Sequence, residues 1–216
     1  EGRGRRLHLR PEAQINADNT RGYAAFFEDR RAPVGAPAAW CFSELQEILT
    51  VSDAASLDQA LARIGQTPAW TVMALDYELA YLLEPAAAPA GWSAAAATRP
   101  RARFWRFAQC RQFSAAQAEA FLAPHATLPA GVAEIGAAWD ETRYREAVHE
   151  IQRLIAAGDC YQVNLTYPLD FSWFGTPLAL YARLRARQPV RYGGCIGDAE
   201  SGIVSLSPEL FFSRQA

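Results

Sequence analysis

The spacing of apolar residues changes several times along the chain. Gly22-Tyr23-Ala24-Ala25-Phe26-Phe27 is a short apolar run that stops at the charged turn Glu28 to Pro33, which marks a strand. Trp40-Cys41-Phe42 and Leu45 to Val51 read as the two arms of a hairpin. Ser56 to Ile64 carries Leu57, Ala60, Leu61 and Ile64 at helical spacing. Trp70 to Leu83 is apolar with β-branched and aromatic content, and reads as one or two strands. Pro85 to Pro100 is rich in alanine and proline and reads as a loop. Strand character returns at Arg103 to Phe107, and Ser114 caps a short helix to Leu122. Pro124 to Gly131 reads as a linker and a subdomain boundary.

The second half is clearer. Asp140 can cap a helix to Ala157, with Tyr144, Val148, Ile151 and Ile155 on one face and Gly158 just beyond its end. Glu141 and Arg145 form an i,i+4 pair on it, and His149 is most simply a helix-surface residue. Asp159 to Tyr167 then alternates strictly, which predicts a strand. Tyr161, Val163, Leu165 and Tyr167 point one way, while Cys160, Gln162, Asn164 and Thr166 point the other. That polar face is neutral. It fits a solvent face with satisfied amides, and equally the lining of a cavity that hydrogen-bonds a ligand. Thr176 to Arg187 is amphipathic, with Leu178, Tyr181, Leu184 and the stem of Arg185 toward the core and Arg183 and Arg187 in solvent. Gln188-Pro189 stops it. Tyr192 to Ile196 and Ile203 to Leu206 read as paired strands, and Glu209 follows among apolar neighbours in what reads as sheet. A carboxylate so held has a raised pKa and can act as an acid; an edge-strand Glu in solvent is the plain alternative.

Composition narrows the field. The 216 residues are 50% hydrophobic and 20% charged, with a net charge of −2, which excludes a disordered chain and an electrostatic nucleic-acid binder. No apolar run reaches the roughly 20 residues of a membrane span, and the basic stretch Arg3 to Arg10 lacks the apolar core of a signal peptide. The four cysteines Cys41, Cys110, Cys160 and Cys195 are too scattered for a zinc ribbon and read as free thiols of a cytoplasmic protein. All 21 basic residues are arginine, so no lysine nucleophile or Schiff base is available. The chain starts at Glu1, carries its one methionine at Met73 and stops just after a strand-like run, which reads as a piece cut at both ends.

Two motifs carry a resemblance: Gly158-Asp159-Cys160-Tyr161-Gln162-Val163-Asn164-Leu165, and Ser205-Leu206-Ser207-Pro208-Glu209-Leu210-Phe211. With the run Tyr144 to Phe212 around them, they resemble the first part of the chorismate-binding domain. That family contains anthranilate synthase component I, aminodeoxychorismate (para-aminobenzoate) synthase component I, and the isochorismate and salicylate synthases. The Gln-Val-Asn-Leu and Ser-Leu-Ser-Pro-Glu forms are closer to the aminodeoxychorismate synthases. The isochorismate and salicylate enzymes carry lysine where Gln162 stands. Phe26-Phe27-Glu28-Asp29 and Leu75-Asp76-Tyr77-Glu78-Leu79-Ala80-Tyr81 look, more loosely, like the N-terminal half-domain of the same enzymes. Asp76 stands there where glycine is usual.

The resemblance implies an α+β fold of antiparallel sheets packed with helices, a component I-like sandwich incomplete at its C-terminus. It divides the chain into a basic tail over 1–21, an N-terminal half-domain over 22–131 and the start of the chorismate-binding domain over 140–216. It implies that Mg²⁺-bound chorismate loses its ring 4-hydroxyl while ammonia adds, giving 4-amino-4-deoxychorismate for folate synthesis. Glu209 would protonate the departing hydroxyl, and Gln162 and Asn164 would orient the substrate or ammonia. Ammonia would come from a glutamine amidotransferase subunit. The Mg²⁺ ligands and a Pro-Ile-Lys-Gly-Thr motif are expected beyond residue 216, so the chain alone is expected to be inactive. Some members bind tryptophan near the segment matching Pro189 and Tyr192; here Asp29 replaces a usual serine and Arg191 a usual proline. Anthranilate synthase component I, for tryptophan synthesis, is the alternative, and a non-catalytic binding module the third reading. Unpaired strand edges are expected to drive self-association.

Overall fold

A computed structural model describes residues 5–6, 24–93, 99–197 and 202–213. The basic tail read over 1–21 lies outside them apart from Arg5 and Arg6, and so do 94–98 of the Ala/Pro-rich loop and the turn 198–201. The elements in chain order are β1 (Arg5–Arg6), β2 (Ala24–Asp29), β3 (Ala39–Val51), α1 (Ala54–Gln66), β4 (Trp70–Leu75), α2 (Ala80–Leu83) and β5 (Ala102–Phe113). They continue with α3 (Ala115–Ala126), β6 (Gly131–Ala137), α4 (Glu141–Ala157), β7 (Leu169–Phe174), α5 (Pro177–Arg187), β8 (Tyr192–Gly197) and β9 (Gly202–Ser207). The fold is α+β with antiparallel sheets. The chain divides into a smaller unit, Glu1–His8 with Gly131–Phe174, and a larger one, Leu9–Ala130 with Gly175–Ala216.

The larger unit is a six-stranded sheet in the order β4-β5-β3-β2-β8-β9, every neighbour antiparallel. Successive residues of a strand face opposite sides, so Phe26 and Ala25 open two different layers. Phe26 joins Phe113, Leu122, Tyr181 and Cys195 where α3 and α5 cover the sheet. Ala25 joins Leu45, Val72, Trp105, Phe107 and Ile196 on the other face. Helix α1 buries Leu57 and Ala60 against Val51, Ala102 and Phe104. Caps fix where helices begin: Asp53 and Ser56 form a capping box on α1, Ser114 and Gln117 one on α3, and the Thr176 hydroxyl accepts from Ala179 N at 3.2 Å on α5.

A few charges of this unit are buried rather than left on its surface. Glu28 on β2 is buried, and Tyr181 and Arg185 of α5 both donate to its carboxylate; Arg185 also reaches Glu119 of α3 at 2.7 Å. Gly193 is obligatory beneath this cluster, because a Cβ there would stand 2.3 Å from the Tyr181 hydroxyl. Arg106 of β5, 1% exposed, donates to the Glu47 carboxylate and the Thr67 carbonyl just past α1.

The smaller unit has the sheet order β1-β7-β6 and the 17-residue helix α4. Asp140 caps α4 through Arg143 N at 2.8 Å. The helix ends on Gly158 at φ 81°, where Gly158 N bonds Ile155 O and Asp159 N bonds Leu154 O. The boundaries read from sequence hold at both ends.

Several readings are corrected. Trp40 to Val51 is one strand, not a hairpin; Glu44 takes φ 59° within it, and the extra residue Gln46 bulges between Leu45 and Glu47 and shifts the register there. Trp70 to Leu83 is strand only to Leu75, then a 3-10 turn over Tyr77–Leu79 and the short α2. Pro124 lies within α3 and Gly131 opens β6, so the connection read over Pro124 to Gly131 shortens to residues 127–130, and the two units divide at its end. Asp159 to Tyr167 is not a strand, although its alternation is strict. Alternation fixes which way side chains would point, but a strand exists only where a ladder partner supplies hydrogen bonds, and among the described residues this segment has none.

Candidate functional site

The residues singled out by sequence fall in both units. Gln162 and Asn164 belong to the smaller one. They lie on the exposed segment after α4, and Gln162 Nε2 donates to Asn164 Oδ1 at 3.4 Å. Two neutral amides so placed present donors and acceptors without adding charge. The far end of the segment is held by aromatic contacts that the sequence reading did not single out. Tyr167 stacks on Trp139 with ring centres 5.4 Å apart, Tyr144 of α4 meets Tyr167 edge-on at 5.9 Å, and the Arg143 guanidinium lies over Trp139 at 4.7 Å. The signal available was an aromatic residue on each side of the helix cap, but nothing in the spacing said which rings would meet. His149 lines an open groove along α4 with Tyr144, Arg145, Val148 and Gln152, the surface position expected for it.

Glu209, Pro189 and Tyr192 belong to the larger unit. Strand β9 ends at Ser207, so Glu209 is not in the sheet; it is exposed on the bend that follows, which corrects the apolar setting read for it. The Ser207 hydroxyl donates to Glu209 O at 2.8 Å and accepts from Glu209 N at 3.3 Å, closing the bend. Tyr192 is the ladder partner of Ser207 on one side and of Asp29 on the other, so Asp29, Tyr192 and Ser207 form one row across β2, β8 and β9. Glu209 stands two residues beyond that row. Pro189 is exposed in the segment between α5 and β8.

The two departures from the family pattern meet at the same end of the sheet. Arg191 grips Asp29 with both arms, Nε to Oδ1 at 2.8 Å and Nη2 to Oδ2 at 2.9 Å, and its guanidinium lies 4.8 Å from the centre of the Tyr192 ring. The hydrogen bond from Arg191 holds the Asp29 carboxyl below the usual aspartate range. A serine–proline combination could not make this pair.

Three of the thiols are poor nucleophiles. Burial pushes Cys195 up to about 12 and also raises Cys41 and Cys110. The four cysteines are free. Among the described residues no three His, Cys, Asp or Glu side chains gather as cation ligands. Nor is any helix among them long and apolar enough to cross a membrane.

Comparison with known proteins gives the following. A family model described as chorismate binding enzyme matches residues 5–216. The chain is 39% identical over 69 residues to an aminodeoxychorismate synthase of Streptomyces pristinaespiralis, covering 32% of this chain and 10% of that protein. It is 31% identical over 87 residues to aminodeoxychorismate synthase component 1 of Bacillus subtilis, covering 40% and 18%. It is 33% identical over 75 residues to anthranilate synthase component 1 of Neisseria meningitidis serogroup B, covering 35% and 15%. The chain thus spans less than a fifth of the length of these relatives.

Proposed function

Since the chain belongs to the chorismate-binding enzyme family, we propose that it serves in the amination of chorismate to 4-amino-4-deoxychorismate, as part of component I of an aminodeoxychorismate synthase. The observation that carries this reading is the 39% identity over 69 residues with the Streptomyces enzyme of that name. The Gln162-Val163-Asn164-Leu165 and Ser205-Leu206-Ser207-Pro208-Glu209 forms agree with it. Glu209 is the proton donor to the departing 4-hydroxyl, and its exposed position beyond β9 leaves the carboxyl free to meet a ligand. Gln162 and Asn164 orient substrate or ammonia through their amides, and their neutrality suits a site that must hold the two carboxylates of chorismate. Ammonia is supplied by a glutamine amidotransferase subunit; that two relatives are named component 1 supports a partner of some kind.

The reaction class implies Mg²⁺. The described residues bring no cation-ligand cluster together, so they do not fit an ion by themselves. The 216 residues also lack lysine. In this reading they do not turn chorismate over on their own.

A second reading, anthranilate synthase component I, rests on the 33% identity over 75 residues with the Neisseria protein. The test expresses the natural reading frame that encodes these residues and incubates its product with chorismate, Mg²⁺ and ammonium. Chromatography then identifies what forms. 4-Amino-4-deoxychorismate, lost in Glu209→Gln, is expected. Anthranilate would replace the first reading by the second. Absence of any chorismate conversion would favour a non-catalytic binding module and overturn both. Turnover by the purified 216-residue chain would overturn the statement that it is inactive alone.

A further inference from the structure

Buried polar atoms need partners, and two of them in this chain face each other without bonding. Thr71 on β4 and Arg106 on β5 are direct ladder partners, so their side chains rise from the same face of the sheet. Arg106 is 1% exposed. Its Nη1 donates to the Glu47 carboxylate and its Nη2 to the Thr67 carbonyl. Its Nε–H is buried and has no partner among the described residues, and the same holds for the Thr71 hydroxyl. The Glu47 oxygens are already shared between Arg106 and Arg63, which reaches them at 3.1 and 3.3 Å. An unpaired buried donor is costly, and a guanidinium donor more so than a neutral one.

We propose that one internal water molecule binds between Thr71 and Arg106, accepting the Nε–H and hydrogen-bonding the Thr71 hydroxyl. Directly opposed residues of an antiparallel pair hold their Cβ atoms about 4.5–5.5 Å apart, so a single bridging water spans their polar atoms. The site is polar enough to keep it: the Thr67 carbonyl and the Glu47 carboxylate converge on the same guanidinium and can accept its remaining proton. The water ties the edge strand β4 to β5 by side chains, at the place where the chain leaves α1. It also gives the Nε–H of a buried cation an acceptor, which a hydrophobic neighbour could not do.

The sign of one substitution separates this from a truly orphaned hydroxyl. Thr71→Val keeps the shape and swaps the hydroxyl for a methyl. If water bridges the pair, the equilibrium constant for unfolding rises about tenfold, because Nε loses its partner. Val is also at least as good a strand former as Thr, so propensity cannot supply that loss. A long-lived water cross-peak to the Arg106 Nε proton is expected by NMR in the wild type and in Thr71→Ser, and not in Thr71→Val. The inference is overturned if Thr71→Val is as stable as the wild type or more so. It is equally overturned if the wild-type Nε proton shows no such cross-peak, a readout that stands even should the valine variant fail to fold.

Discussion

Arg185→Met tests how much the larger unit depends on its buried charge cluster. In the wild type the Glu28 side chain is 3% exposed and that of Arg185 12%, so both partners are out of water. Arg185 donates Nε and Nη2 to Glu28, the second at 2.8 Å, and Tyr181 adds a hydroxyl bond at 2.5 Å. Glu119, with 62% of its side chain exposed, is the rim partner and contributes little. Methionine roughly fills the space of the Arg185 stem but leaves Glu28 with the Tyr181 hydroxyl as its remaining side-chain donor. Stranding a buried charge in this way costs about 3–5 kcal/mol, against a total stability of about 5–15 kcal/mol for a domain. Urea unfolding followed by circular dichroism should therefore show a large fall in the midpoint. The double variant Glu28→Leu/Arg185→Met removes the stranded charge along with its partner and should recover most of the loss. A single-variant loss below about 1 kcal/mol, the size expected of a surface pair, would refute the reasoning. So would a double variant no better than the single one.

The Asp29–Arg191 pair gives a pH signature. The Asp29 carboxyl is held low in the folded chain, so its contribution is present above the ordinary carboxylate range and is lost as pH falls through the lowered value. Asp29→Asn should flatten the acid arm of the urea-midpoint profile between about pH 5 and pH 2; an unchanged slope would mean that the pair does not set it. Strand β4, Trp-Thr-Val-Met-Ala-Leu, is uncharged, lies at the edge of the sheet and exposes Trp70, Met73 and Leu75. The chain should grow in apparent mass with concentration in light scattering, and Met73→Lys should reduce that growth. A monomer at every concentration would remove the edge as the cause.

How far the fold could be read depended on the range of the interactions involved. Helix α4 was legible in full because its signals are local: Asp140 at one end, Gly158 at the other, and an apolar face between. Strand β3 was misread as a hairpin because a bulge at Gln46 and a turn look alike in sequence, both being polar breaks in an apolar run. The segment Asp159 to Tyr167 was misread because pairing belongs to two segments and alternation to one. The same division holds for the candidate site. Gln162 and Asn164 are near neighbours in the chain, and the β8–β9 pairing that brings Tyr192 to Ser207 is a short-range hairpin. Asp29 joins Arg191 and Tyr192 through the long-range β2–β8 ladder, which no local pattern announces. Glu209 was legible as a residue but not in its setting, because the end of β9 is decided by where β8 stops offering partners.

The β2–β8 ladder also sets an order of events during folding. Strands β2 to β5 are made first and can form a four-stranded sheet by themselves, but one edge of it is then β2, with Phe26 and Phe27 on it. That edge waits for β8, and its Glu28 waits likewise for the hydroxyl of Tyr181 on α5, 153 positions away. Contacts of such separation form late and slowly, because a long loop must close before they repay the closure. The growing chain therefore passes through a stage in which the strand bearing Phe26 and Phe27 is an open template for pairing, a hazard of synthesis and refolding that the finished sheet conceals.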